Sequence, residues 1–229
     1  AFFFFYNYAL TTTVSFPTTL HTFVSGFSHD VSMLGYLVEM SLLVMCISVF
    51  PQNPENFVKK TMKTVTLIVL IPFSYLTVVD AELYRNWGYR TDCSVLQYLS
   101  MPKEAFSSIP LWHSALLLVL FAVLAYLFSR LYKKLVEPIL TGIDKISIPN
   151  SLIFIILMGL TVIPIRGGFG VAALRTGSVY FSTVPFANHA AINDHWHFLY
   201  SFGYSRKEKA DIFMEQSECD SICSDLLHS

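Results

Sequence analysis

The stretch "AFSSIPLWHSALLLVLFAVLAYLFS", Ala105 to Ser129, holds 25 residues without one charged side chain. At about 1.5 Å of rise per residue, roughly 20 residues cross a hydrocarbon core of about 30 Å. Such a block is solvated by lipid, and in lipid a chain must satisfy its backbone groups internally, as a helix does. The pattern recurs. Thr64 to Val79 is uncharged, as is Ile146 to Ile165, and Val31 to Pro54 carries only Glu39. The tail end of another apolar segment stands at Phe2–Ala9, where "AFFFFYNYA" opens without a Met; it reads as a span cut short. Only 14% of the 229 residues are charged, against about 25% in soluble domains. The expected fold is therefore all-α: a polytopic membrane helical bundle of five spans, the first truncated. The spans fall near 1–9, 33–50, 60–79, 109–130 and 147–165. No internal repeat of the kind common in transporters is visible.

Lys and Arg set the expected orientation. Residues 9–32 contain none, 51–63 contain Lys59, Lys60 and Lys63, and 130–145 contain Arg130, Lys133, Lys134 and Lys145. Between them, 80–104 holds Arg85, Arg90 and Lys103 balanced by four acids. This alternation places the N-terminus inside and the C-terminus outside. Residues 1–165 then form the transmembrane domain, with an external interfacial segment at 80–108. Residues 166–204 form a segment on the outer membrane surface, and 205–229 a polar linker towards a further extracytoplasmic domain. No signal peptide is visible. The net charge of −1 provides no field for nucleic acid.

"DAELYRNWGYRTD", Asp80 to Asp92, is the densest charged and aromatic stretch. Tyr84, Trp87 and Tyr89 suit the headgroup level, where amphipathic rings collect. Arg85 and Arg90 suit phosphate, with Asp80, Glu82 and Asp92 to orient them. The same residues also suit an interfacial anchor whose charges pair with one another. Beyond it, 95–109 has the apolar spacing of short helices in the interface plane. Arg166 in "PIRGGFG" stands at the outer surface beside Gly167 and Gly168, which permit close backbone approach; a lipid phosphate or a simple helix stop fits equally. Glu39, an intramembrane carboxylate, is either a working residue or one facing a cavity or the interface. His113 is expected at an interface.

"ANHAAINDHWHF", 187–198, brings His189, His195 and His197 close together, but not at a zinc spacing; Asn188 and Asn193 indicate a turn on the membrane surface. Cys219 and Cys223, four apart, suit neither a helical disulfide nor a metal site. No metal site is expected in this chain. Nor is a phosphate-binding loop, dinucleotide fingerprint or nucleophile elbow present.

Four segments, "FVSGFSHDVSMLGYL" (23–37), "DAELYRNWGYRTDCSVLQYLSMPKEAFSS" (80–108), "PIRGG" (164–168) and "NHAAIND" (188–194), occur in an order and spacing that resembles the membrane region of the lipoteichoic acid synthase-like family, especially its Bacteroidetes-type members. These are phosphoglycerol transferases of the alkaline phosphatase and sulfatase superfamily. The resemblance covers essentially the whole chain, and 80–108 is its most specific part. It implies five spanning helices in a bacterial plasma membrane, followed by a large extracytoplasmic α/β domain. That domain would use a threonine nucleophile and a divalent, manganese-like metal. It would take phosphoglycerol from a phosphatidylglycerol-like lipid, leave diacylglycerol and pass the group to an acceptor. No cofactor is implied in the present chain, whose partners would be the phospholipid and its own catalytic domain. The nucleophile and metal motifs have no counterpart here, so no catalytic residue carries over. Glu39 departs from the apolar or proline position expected there. A related phosphoethanolamine transferase or hydrolase, and a small transporter or scaffold, are the alternatives.

Overall fold

The computed structural model describes residues 2–100, 111–143 and 147–205. Among them there are helices and turns and no strand. Two short helices, α1 (Phe2–Tyr6) and α2 (Tyr8–Thr11), precede four long ones: α3 (Phe16–Ile47), α4 (Pro54–Trp87), α5 (Leu111–Leu135) and α6 (Ile148–Arg166). Two further helices close the described chain, α7 (Pro185–Ala191) and α8 (Asp194–Ser205). The four long helices are each apolar and long enough to cross a membrane. The apolar stub at the start is α1 and α2, neither long enough to span by itself.

The helix ends follow local chemistry. Ser15 caps α3 by accepting from Thr18 N, with Pro17 in the first turn. Asn53 accepts from Asn56 N at the start of α4, and Glu55 sits favourably in that first turn. Gly88 ends α4 at φ 75°, and Gly167 ends α6 at φ 91°, both in the left-handed region where glycine carries no Cβ penalty.

Two boundaries differ from the sequence expectation. Residues 16–32 were expected in an external connection, yet they form the first half of α3. The reason is the face they bury: Thr22, Gly26, His29, Ser32, Met33 and Gly35 recur at helical spacing and pack inward. Small and hydroxyl-bearing residues let helices approach closely where lipid removes the hydrophobic drive. Likewise, Asp80–Trp87 was expected beyond the membrane lip and forms the last turns of α4. The interfacial segment begins as a 3₁₀ turn at Cys93–Ser100. Residues 101–110, including Lys103, and the linker 206–229 with Cys219 and Cys223 lie outside the described residues.

The long helices alternate in direction. The ends of α4 and α6, with the first half of α3, form one end of the bundle, here the upper tier. Lys59, Lys60, Lys63, Lys133 and Lys134 belong to the lower end. α3 packs chiefly on α6, and α5 on α4. Gly35 marks the α3–α6 approach, since a Cβ there would lie 2.7 Å from Ile165 Cγ1. Lower down, Thr161 of α6 donates to the Glu39 carboxylate. Glu39 is half-buried and ties α3 to α6 through that contact.

Candidate functional site

The upper tier is a folded cap. α7 sits against α3 so closely that a Cβ on Gly26 would lie 2.5 Å from the Ala191 carbonyl oxygen. α8 packs on α3, on α4 and on the Cys93–Ser100 turn. Long-range hydrogen bonds fasten these pieces. Ser32 Oγ donates to Ile165 O at 2.7 Å and accepts from Trp196 Nε1 at 3.0 Å. Asn193 Nδ2 donates to Asp30 at 2.7 Å, while its Oδ1 caps α8 by accepting from Trp196 N. His29, fully buried, donates from Nε2 to Arg175 O at 3.1 Å and stacks on Trp196 at 4.1 Å.

Two carboxylates of α4 organise the centre. Asp80 is 1% exposed; its Oδ2 lies 3.1 Å from Arg90 Nη2, and its Oδ1 accepts from Thr91 N at 2.9 Å. Arg90 is reached because Gly88 turns the chain back after α4. Its guanidinium also stands 4.3 Å over the Phe3 ring, and Phe3 in turn packs edge-on against Tyr84. Glu82 faces the other way: it accepts from Tyr6 Oη at 2.5 Å and from Asn86 Nδ2 at 2.9 Å. His113 Nε2 lies 3.0 Å from Glu82 Oε1. His113, expected merely at an interface, is thus the polar link from α5 to α4.

A second charged pair comes from α8. His195 Nδ1 lies 2.8 Å from Asp194 Oδ1, and Nε2 donates to the Phe73 carbonyl at 3.0 Å. Both ring nitrogens face acceptors, which favours the imidazolium. Burial works against that charge, but the hydrogen bond and charge of Asp194 outweigh it and the His195 pKa is raised. Burial likewise pushes the Asp194 carboxyl up, yet His195 and then Arg90 pull harder, and it settles at about 2. His197 is the opposite case: burial first, then the Arg90 charge, lowers it to about 4. His189 is lowered for the same two reasons and bonds the Tyr84 hydroxyl through Nδ1 at 3.1 Å. The three histidines thus have separate partners, and no group of three metal-ligating side chains gathers among the described residues.

The expected headgroup residues divide. Arg90, Asp80 and Glu82 are buried in the tier and saturated or nearly so by protein partners. Here the alternative of charges pairing with one another describes the geometry. Arg85 and Arg166 are exposed, and Arg166 Nη2 donates to Val171 O at 2.9 Å, closing the glycine loop. Asp92 is half-buried and accepts from Ser94 N and Oγ. Of the three aromatic anchors, Trp87 and Tyr89 are exposed and stack on each other at 5.7 Å. Tyr84 is instead 4% exposed, a core residue of the tier, because it sits on the face of α4 that meets α1 and α7. Of the two asparagines expected in a surface turn, Asn188 lies within α7 and its Oδ1 accepts from Phe181 N and Ser182 N, while Asn193 stands at the bend before α8 and caps it.

Between α1, α3, α4 and the 190–194 turn lies a cavity of about 200 Å³, lined among others by Phe3, Asp30, Asp80, Arg90, Asn193 and Asp194. A broader, more open depression of about 490 Å³ is bordered by Asp92, Arg175, His197 and Tyr200. The sequence reading did not single out Asp30, Thr77, Asp194 or Tyr6 as site residues. The "HD" of "FSHDVS" in a helix whose one other charge is Glu39, and the "ND" helix-start signal before "HWH", were the available pointers. Fold and site together define a polytopic helical membrane protein with a polar cap at one end. The chain matches no family model, no curated protein and no solved structure.

Proposed function

We propose that this chain is the membrane-anchoring and lipid-access region of a transferase that moves a phosphoglycerol-type headgroup from a membrane phospholipid to an extracytoplasmic acceptor. One observation supports the reading. The described residues of the four segments that carry the resemblance to the lipoteichoic acid synthase-like family, distant in sequence, contribute to the upper tier. Asp30, Asp80 with Arg90, and Asn193 with Asp194 come from three of them and line one cavity, and the fourth contributes the Ile165 carbonyl that holds Ser32. A shared recognition pattern thus corresponds to a shared place.

In this proposal the lysine-rich lower end faces the cytoplasm of a bacterial plasma membrane, and the upper tier the outside. A catalytic domain following the tier would find its substrate in the adjacent leaflet, so holding that domain at the headgroup plane supplies most of the proximity it needs. Arg85 and Arg166, exposed at the rim, contribute the phosphate-facing floor; Arg90 keeps the tier folded beneath it. The chemistry itself, with its nucleophile and its divalent metal, belongs to that other domain.

The direct test is conversion of labelled phosphatidylglycerol to diacylglycerol by the complete gene product in membranes. Arg85→Ala and Arg166→Ala are expected to lower headgroup transfer several-fold at unchanged expression. Absence of diacylglycerol formation in the wild type would refute the transferase, and wild-type turnover in both variants would remove the rim arginines from it.

A further inference from the structure

The loop that follows α6, "GGFGVAAL" at 167–174, carries no polar side chain. Phe169 in it is 91% exposed and Val171 98%, the two most exposed large apolar side chains among the described residues. Loops that stand in water are rich in side chains that meet solvent or complete turns by hydrogen bonding. The side chains of this one offer water nothing. Its shape is closed. Gly167 and Gly168 turn the chain at φ 91° and 112°. Leu174 N donates to Arg166 O at 3.0 Å, and Arg166 Nη2 donates to Val171 O at 2.9 Å. The Leu174 side chain fills the space beside Gly167, which leaves Phe169 and Val171 to point outward.

The height of the loop is set by α3. Before it, Ile165 O accepts from Ser32; after it, Arg175 O accepts from His29. His29 and Ser32 differ in height along α3 by about 4.5 Å at the helical rise. The 19 residues of α6 extend about 28 Å, close to a hydrocarbon core of about 30 Å. Both ends of the loop therefore stand where α6 meets the headgroups, and the tip faces away from the bundle. Around a spanning bundle, that level is occupied by lipid. The flanks agree: Arg166 and Arg175 bracket the loop and are exposed, and a guanidinium there meets phosphate while its stem lies along apolar chains. Depth has a limit, because loop peptide groups without a protein partner must stay hydrated. Only the side chains of the tip can enter the acyl region.

We propose that residues 167–174 form an interfacial wedge. Phe169 and Val171 insert into the upper acyl region of the leaflet at the end of α6, with Arg166 and Arg175 at the phosphate level. The occupant of this apolar surface is lipid, not another protein. The wedge ties the upper tier to the bilayer beside α6, outside the helical spans themselves. It rests on the spanning character of the bundle alone and is independent of headgroup transfer.

The test is fluorescence of the full chain reconstituted in phosphatidylcholine vesicles. A tryptophan is placed at the tip as Phe169→Trp and, independently, as Val171→Trp; both positions are exposed, so neither substitution disturbs packing. The signal of Trp87, Trp112 and Trp196 is removed by subtracting that of the unsubstituted chain. Lipids brominated near the carbonyl end of their acyl chains are expected to quench the added emission about twofold, and aqueous iodide to leave it unchanged. Quenching by iodide and not by the brominated lipid would put the tip in water and overturn the wedge. Protection from both quenchers would put protein over the tip and overturn it equally.

Discussion

Arg90 lies between a carboxylate and a phenyl ring, and its burial decides what its loss would do. Removing one partner of a buried ion pair strands the other charge, which typically costs about 3–5 kcal/mol. Arg90→Ala is accordingly expected to destabilise the chain by about that amount in detergent unfolding, whereas Arg85→Ala, at an exposed site, should change stability by less than about 0.5 kcal/mol. His197 gives a pH signature. Its pKa falls from an ordinary 6.5 to about 4 because burial and the Arg90 charge disfavour the imidazolium. The folded chain therefore binds fewer protons than the unfolded one, and the contribution of His197 is complete above pH 6.5 and lost as pH falls towards 4. Its size is on the order of 2 kcal/mol after allowing for partial exposure. His195 has the opposite slope: its raised pKa means stabilisation below pH 6.5 that is lost as pH rises through the folded value. Thermal unfolding against pH should show an acid limb that His197→Gln flattens. Individual residues were the least legible part of the sequence. "DAELYRNWGYRTD" announced its charges and rings, but nothing local told that Asp80 and Glu82 point inward while Arg85 points out. That depends on which face of α4 meets α1, α7 and α8; the His195 contact with Phe73 spans 122 positions of chain.

At the scale of elements, α3 and α4 are the long members, about 48 and 51 Å for their 32 and 34 residues. Hydropathy located their membrane portions and missed their extensions. "TFVSGFSH" reads as a polar connection in isolation and becomes helical because α7 covers its small residues. The contact at Gly26 is the tightest such approach and meets rigid backbone, so Gly26→Ala is expected to destabilise by about 1–3 kcal/mol and to expose α7 to proteolysis. Gly35→Ala meets instead the flexible side chain of Ile165 and should be milder. Limited proteolysis around 185–191 distinguishes the two. α5 shows a different economy. Its spanning window buries nothing, and His113 against Glu82 is its polar hold on the tier. His113→Ala should loosen α5 alone, seen as faster hydrogen exchange along 111–120 with the rest of the bundle unchanged.

Across the whole molecule, the sequence was most informative where physics is least forgiving. Apolar blocks of spanning length have one structural outcome in lipid, and each of the four long helices contains most of one expected span, although α3 and α4 run well beyond theirs. The tier above them was nearly illegible, since its order comes from hydrogen bonds between segments of unremarkable composition. The proposed orientation has its own test: cysteines substituted for Lys60 and for Trp87 should react with an impermeant maleimide from opposite sides of sealed vesicles, Trp87→Cys from the outside.

The unequal helix lengths carry a mechanical corollary. α6, with 19 residues, measures about 28 Å, close to the hydrocarbon thickness of an ordinary bilayer, and Gly167 halts it there. α3 runs antiparallel to it and is fastened to it at Glu39–Thr161 below and Ser32–Ile165 above. The short helix thus acts as a depth gauge and the long one as a mast, and the two are locked together. The cavity's height above the acyl chains is then fixed by the protein, while the lipid headgroups rise or sink with chain length. In bilayers thicker than the gauge, headgroups climb past the Asp30 rim; in thinner ones they fall short of it. Under the proposed lipid-access role, headgroup transfer should peak near acyl chains of matched length and decline on both sides.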